Sequence, residues 1–206
     1  MPLNCVKFVH TDVTNWASQA EAFETARQFS PYRTIDVVIP SAAVFSEPFL
    51  DLKAPTAAGF PKPSTTVFDV NIVGTYFTAK LAAYYFDSSA DITEDSSPRL
   101  KSLIFMSSLG GYVAGARFSA YGASKFAVRG LWKSSRDDLK TLGVRSNLIA
   151  PWFIPTPMNQ FQVKHLEGKV RFAKAGDVVD AALRCATDEQ IQGMLLKTFR
   201  RVTRDH

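Results

Sequence analysis

LKSLIFMSSLGG, Leu100–Gly111, followed after a short gap by FSAYGASKFAVRGLW, Phe118–Trp132, decides the fold of this 206-residue chain. Leu100 to Met106 is an apolar run short enough for one strand. From Phe118 to about Leu142 the apolar residues Ala123, Ala127 and Leu131, with Val128 and Trp132 beside them, recur at helical spacing, and Gly143 signals the C-cap. Ser107 and Ser108 lie at the strand's carboxyl end, and Gly110, Gly111 and Gly115 follow in the loop.

The same alternation extends outward from this unit. Val6 to Val9 reads as a strand, and a helix carrying Trp16, Ala20 and Phe23 follows Asp12-Val13-Thr14. Ile35 to Ile39 lacks apolar/polar alternation, which predicts a strand buried on both faces and ended by Pro40. Glu47 to Pro63 holds four prolines and a glycine and is a loop. Ser64 is the expected N-cap of a long helix carrying Val67, Val70, Val73, Phe77 and Leu81. Residues 87 to 99 are polar and acidic, a solvated excursion where local disorder is expected. A strand from Ser146 to Ala150 runs into Pro151, and a last helix covers roughly Asp177 to Thr187.

No repeat, linker or domain boundary interrupts this order, so residues 1–206 read as one domain. Strand and helix in strict alternation predict an α/β fold, a doubly wound parallel sheet with right-handed crossovers. Sites in such sheets lie outside the carboxyl ends of the strands, here just after Val9, Ile39, Met106 and Ala150.

Composition excludes several classes. The net charge of +5 comes from 24 basic and 19 acidic residues, scattered except for Lys197, Arg200, Arg201 and Arg204. A nucleic-acid surface needs a denser stripe, and the cluster reads as a solvated tail or a minor anion-binding patch. Cys5 and Cys185 are too few for a disulfide framework, Cys185 lying on an apolar helical face. The N-terminal stretch lacks the basic-then-apolar pattern of a secretory signal, and no apolar run approaches the roughly 18 residues of a membrane span. His10, His165 and His206 are far apart, so no metal site is expected. These features predict a soluble cytoplasmic protein with neither nucleic-acid nor membrane partners.

Tyr121 and Lys125 are four apart on the helix and share a face. A phenol near pKa 10 is a poor base at neutral pH, and a nearby ammonium lowers that value and fits the pair for proton transfer. The spacing alone also arises on ordinary amphipathic helices. Ser108 can donate to a substrate oxygen. Asn71, amid Val70, Ile72 and Val73, either braces the sheet or holds a water.

Taken together, Asn71 within Val70-Asn71-x-x-Gly74, Ser108 thirteen residues before Tyr121, and Tyr121-Gly-Ala-Ser-Lys125 resemble the short-chain dehydrogenase/reductase family, over about Val6 to Met158 and more weakly to Gly193. The branch it is most similar to is the fungal one grouped with hydroxyprostaglandin-type dehydrogenases, common in secondary metabolism. The resemblance implies a Rossmann-like fold, NAD or NADP as cofactor, a small-molecule alcohol or ketone as substrate, and a homodimer or homotetramer. It also implies that Tyr121 is the acid/base, Lys125 binds the nicotinamide ribose and lowers the Tyr121 pKa, Ser108 orients the substrate oxygen, and Asn71 holds a relay water. Asp12 would contact adenine, unless it only closes a strand-to-helix turn. Thr156 would meet the nicotinamide carboxamide, unless it only caps a helix. Ala42, in Ser41-Ala42-Ala43, occupies the middle of the family's Asn-Ala-Gly.

The departures lie on the cofactor side. The family's opening strand, glycine-rich turn and helix are not found before Val6, so the chain reads as truncated by roughly 50 to 60 residues, its first strand-helix-strand unit. An incomplete gene model, a true short protein and a decayed paralogue are three explanations. Ser41-Ala42-Ala43 and Pro151-Trp152, the latter where the family has Pro-Gly, weaken the cofactor site, the indole crowding or reshaping its loop. Trp152, Phe153, Ile154, Met158 and Phe161 form either a lid over an apolar substrate such as a polyketide or ordinary core. Two functions follow: an oxidoreductase interconverting a secondary alcohol and a ketone with NAD(P), or a cofactor-independent, non-catalytic relative acting through oligomerisation.

Overall fold

The computed structural model describes residues 5–46, 48–50, 55–57, 59–87, 100–113 and 119–198. Its centre is the pair foreseen from the apolar runs. Strand β2 (Lys101–Met106) and strand β3 (Val144–Pro151) are parallel, in register from Lys101 opposite Val144 to Met106 opposite Ile149. Strand β1 (Val37–Val38) joins β2 through Val37 and Ser102, and strand β4 (Leu195–Thr198) joins β3 from Leu148 opposite Leu195. The four strands run in sequence order, all neighbours parallel. Parallel neighbours need crossovers, and helices supply them.

Successive strand residues point to opposite faces, so β2 and β3 feed two cores. On one face Leu103, Phe105, Val144 and Leu148 pack with Ala79, Ala82 and Phe86 of helix α3 (Thr75–Phe86) and with Val128, Trp132 and Leu139 of helix α4 (Ser119–Thr141). On the other, Ile104 and Ile149 pack with Ala181 and Cys185 of helix α6 (Ala175–Thr187). Cys185 is wholly buried, as its helical face predicts. Sandwiching a sheet between helices buries both sides of its strands, which is why β2 and β3 show no polar alternation.

Polar groups on the α6 side are matched to the helix end. The Arg145 guanidinium donates to the carbonyls of Cys185 (2.7 Å), Asp188 (2.9 Å), Ile191 (3.2 Å) and Ala186 (2.8 Å). A buried cation is tolerated there because the carbonyls at a helix C-terminus are otherwise unpaired and carry partial negative charge. Gly143 takes φ +68°, the left-handed conformation needed to turn α4 into β3.

Helix α1 (Trp16–Phe29) starts at Asn15, whose side chain accepts from the Ser18 N–H. The long helix begins one residue later than expected, with Thr65 at the N-cap, although the Ser64 hydroxyl still accepts from the Thr66 N–H at 3.3 Å. It comprises α2 (Thr66–Phe68), a π-helical segment Asp69–Gly74, and α3. Helix α5 (Gln160–Leu166) and β4 are short elements that the sequence reading did not anticipate.

Two strand readings are corrected. Val6 to Val9 forms no strand. Among the described residues it pairs with nothing, and Val6 and Phe8 are 85% and 86% exposed. Apolar, β-branched residues favour a strand only where a neighbouring backbone accepts the ladder. Ile35 to Ile39 is not buried on both faces either. Among the described residues its strand pairing is confined to Val37 and Val38, with the Asp36 carbonyl accepting from the Ser102 N–H at 2.9 Å, and Val37 and Ile39 are exposed while Val38 meets the core. The polar stretch 88–99, Gly115, Phe118, Arg200, Arg201, Arg204 and His206 lie outside the described residues.

Candidate active site

The carboxyl ends of the first three strands converge on one cleft of about 350 Å³. Ser41 and Ala43 approach from the segment after β1, Met106, Ser107 and Ser108 from the end of β2, and Trp152, Phe153 and Ile154 from the segment after β3. Tyr121 and Lys125 enter from the first turns of α4, and Thr156, Met158 and Asn159 close one side. Four of the seven residues singled out from sequence, Ser108, Tyr121, Lys125 and Thr156, therefore share a cleft. Ala42 lines an adjoining cavity of about 230 Å³ with Gln19, Phe23 and Val70, and neither Asp12 nor Asn71 lines either space.

A close backbone approach aims Ser108 at the helix. A 3-10 turn, Leu109–Gly111, follows Ser108, whose Oγ accepts from the Gly110 N–H at 3.1 Å. A Cβ on Gly111 would stand 2.6 Å from the Lys125 carbonyl oxygen and 2.6 Å from Ser107 Oγ, so only glycine lets this turn lie against α4. Ser107 Oγ donates to the same Lys125 carbonyl at 2.9 Å. This packing sets the Ser108 side chain where it favours the Tyr121 phenolate.

Lys125 is almost fully buried. Its Nζ donates to the Met106 carbonyl at 3.1 Å and lies 5.7 Å from the centre of the Tyr121 ring. Desolvation pushes the Lys125 pKa down to about 8. The expectation that Lys125 lowers the Tyr121 pKa is corrected here. Burial raises the phenol, and the Ser108 side chain offsets that only in part. An apolar setting penalises the phenolate, and a lysine that releases its proton near pH 8 is already neutral where the raised phenol titrates, so it has no charge left to offset that penalty.

Asn71 braces the site from behind. Its Oδ1 accepts from the Val44 N–H (2.8 Å), while Nδ2 donates to the Val44 carbonyl (3.0 Å) and to Ser124 Oγ (3.0 Å). Both amide hydrogens are thus committed, so of the two roles read from sequence the side chain performs the bracing one. Asp12 Oδ1 accepts from the Thr14 N–H and hydroxyl, closing the turn before Asn15 and holding the carboxyl below its usual range. Thr156 hydrogen-bonds through its N–H and its hydroxyl to Asn159 Oδ1 at the start of the 3-10 turn Pro157–Asn159. The Trp152 Nε1 donates to the Arg171 carbonyl at 3.0 Å, and the indole ring meets Phe153 edge-on. Phe153 and Ile154 line the cleft with it, while the Phe161 side chain is outside the described residues.

The family model for short chain dehydrogenases matches residues 4–167. The chain belongs to that family. Among curated relatives, this short-chain dehydrogenase is 39% identical over 205 residues to the 5'-hydroxyaverantin dehydrogenase of Dothistroma septosporum, which covers 93% of this chain and 66% of that protein. It is 38% identical over 201 residues to an NADP-dependent dehydrogenase of Cochliobolus lunatus, with 91% and 70% covered. The chain thus spans about two thirds of the length of the curated relatives it matches. Among solved structures, the gluconate 5-dehydrogenase of Burkholderia cenocepacia in complex with NADP and tartrate has a TM-score of 0.72 at 21% identity, over 91% of this chain and 71% of that one. That likeness supports the Rossmann-like fold of parallel strands between helices.

Sequence reasoning missed three contributors. Phe45 stacks on the Tyr121 ring with centroids 4.5 Å apart, Ser46 Oγ accepts from the Tyr121 N–H at 3.2 Å, and Ser124 Oγ donates to the Tyr121 carbonyl at 2.7 Å. Ser124 could have been found, since it shares the helical stretch with Tyr121. Phe45 and Ser46 sit in irregular chain, where no period exists to flag them. Among the described residues no group of three or more His, Cys, Asp and Glu could hold a metal, and no helix is long and apolar enough to cross a membrane.

Proposed function

We propose that this protein is an oxidoreductase that interconverts a secondary alcohol and a ketone on an apolar small molecule of fungal secondary metabolism, with NADP or NAD as cofactor. The observation that carries this reading is the convergence of the Ser108 hydroxyl, the Tyr121 phenol and the Lys125 ammonium in one largely apolar cleft. The activities named for the fungal relatives support it, and the Cochliobolus relative favours NADP.

Lys125 fits a nicotinamide ribose. It is a buried cation with no carboxylate partner among the described residues, and Met106 uses one of its three N–H donors. The others can meet the diol of a sugar. Bound in this cleft, the cofactor supplies or accepts the hydride. Tyr121 carries the accompanying proton, giving it to the carbonyl oxygen in reduction and taking the hydroxyl proton in oxidation, while Ser108 hydrogen-bonds the same oxygen. A phenol kept protonated by burial is suited to the donating role. Phe45, Trp152, Phe153 and Ile154 exclude water and give the substrate apolar walls. Asn71 acts through Val44 and Ser124; by the resemblance we assign Asp12 to the adenine end and Thr156, which lines the cleft, to the carboxamide end, with Ala42, which lines the adjoining cavity, also on the cofactor side.

We read residues 1–206 as one such domain working as a homodimer or homotetramer in the cytoplasm, a setting compatible with two free cysteines. The reading is tested by incubating the protein with NADPH and apolar aromatic ketones, or NADP and the matching alcohols, and following the cofactor's absorbance. Turnover lost in Tyr121→Phe supports it, and no turnover with any member of either series, with NAD(H) also tried, contradicts it.

A further inference from the structure

The segment Val44-Phe45-Ser46 is fastened on both sides of its aromatic residue. Asn71, 99% buried, holds Val44 through both its N–H and its carbonyl. Ser46 Oγ accepts from the Tyr121 N–H, which lies in the first turn of α4, where backbone donors have no partner within the helix. Ser124 closes the loop, accepting from Asn71 Nδ2 and donating to the Tyr121 carbonyl. Phe45 is the residue between the two fastened ends, and its ring lies 4.5 Å from that of Tyr121 at an angle of 26°. A stacked partner on an anchored backbone removes the freedom of the phenol to tilt or swing.

We propose that Phe45 is the positioning residue for Tyr121, a fixed aromatic shelf that sets the angle and depth at which the phenol meets the reacting oxygen. The proposal rests on the role given to Tyr121 above. Displacing a reacting group by about 1 Å can cost roughly a hundredfold in rate, so a shelf of this kind matters far more than its contact area suggests. The charged group near the phenol ring is Lys125 on the same helix; the turn after β2 contributes the Ser108 hydroxyl, and Phe45 and Ser46 bring no charge.

The test uses Phe45→Leu, which keeps apolar bulk but removes the flat face, and Phe45→Tyr, which keeps the face. The protein is labelled with 3-fluorotyrosine, whose more acidic phenol titrates where the fold persists, and the Tyr121 resonance is assigned by its loss in Tyr121→Phe. In Phe45→Leu water reaches the phenol, so the Tyr121 titration shifts down toward that of free 3-fluorotyrosine, and kcat falls about tenfold to a hundredfold with a smaller change in KM. Phe45→Tyr restores both. An unmoved titration or an unmoved kcat in Phe45→Leu overturns the proposal. Wild-type protein without any turnover would instead defeat the dehydrogenase reading, and the titration would still decide whether Phe45 holds Tyr121.

Discussion

Lys125 Nζ stands 5.7 Å from the centre of the Tyr121 ring and donates to the Met106 carbonyl at 3.1 Å, and among the described residues no carboxylate pairs with it. Its pKa of about 8 against 10.5 for an exposed lysine means that the unfolded chain binds the proton more tightly. A depressed lysine costs stability below about pH 8, and the cost fades as pH rises from about 8 to 10.5, because there the folded state has already released the proton. The difference corresponds to about 3 kcal/mol at neutral pH. Lys125→Met should therefore stabilise the protein at pH 7 by up to that amount and abolish turnover. Denaturant midpoints measured from pH 7 to 10 should show the advantage shrinking with pH; an advantage independent of pH would refute the desolvation account.

Gly111→Ala should be more damaging than its size suggests. The added methyl would meet the Lys125 carbonyl at 2.6 Å, and backbone cannot yield as a side chain can. A loss of about 1–3 kcal/mol is expected, with Ser108 displaced from Tyr121 and kcat falling even in the folded fraction. Urea denaturation together with kcat at saturating substrate would check both. A variant as stable and as active as wild type would show that the turn has slack.

Asn71→Ala should cost roughly 2–3 kcal/mol by leaving Val44 and Ser124 without their partners. Thermal melting tests the stability term. Because Asn71 acts through Phe45 and Ser124, the variant should also lower kcat more than it raises KM, and an effect on KM alone would place Asn71 elsewhere in the account.

How far the sequence revealed this architecture depended on burial. β2, β3, α4 and α6 are covered on the faces their apolar residues predict, so Leu103, Phe105, Val128 and Cys185 announced their positions. Val6 to Val9 carried the same residue types without a neighbouring strand to pair with, and pattern alone cannot supply one. Ser108, Tyr121 and Lys125 were legible because local spacing, a strand end and a helical turn, places them. Phe45 and Ser46 were not, since their contact with Tyr121 spans about 75 residues of chain and rests on Asn71 holding an irregular segment. The direction of the Tyr121 shift was misjudged for a related reason. Sequence shows that an amine is near, but only structure shows that both groups are buried.

The central claim is that the Tyr121 phenol moves the proton that accompanies hydride transfer. Rates of NADPH-dependent reduction of an apolar ketone should be compared for wild type and Tyr121→Phe, which removes one oxygen and keeps the ring stacked on Phe45. The account predicts a fall in kcat of at least about a hundredfold with an unchanged melting temperature. Turnover of Tyr121→Phe within a few fold of wild type would contradict it.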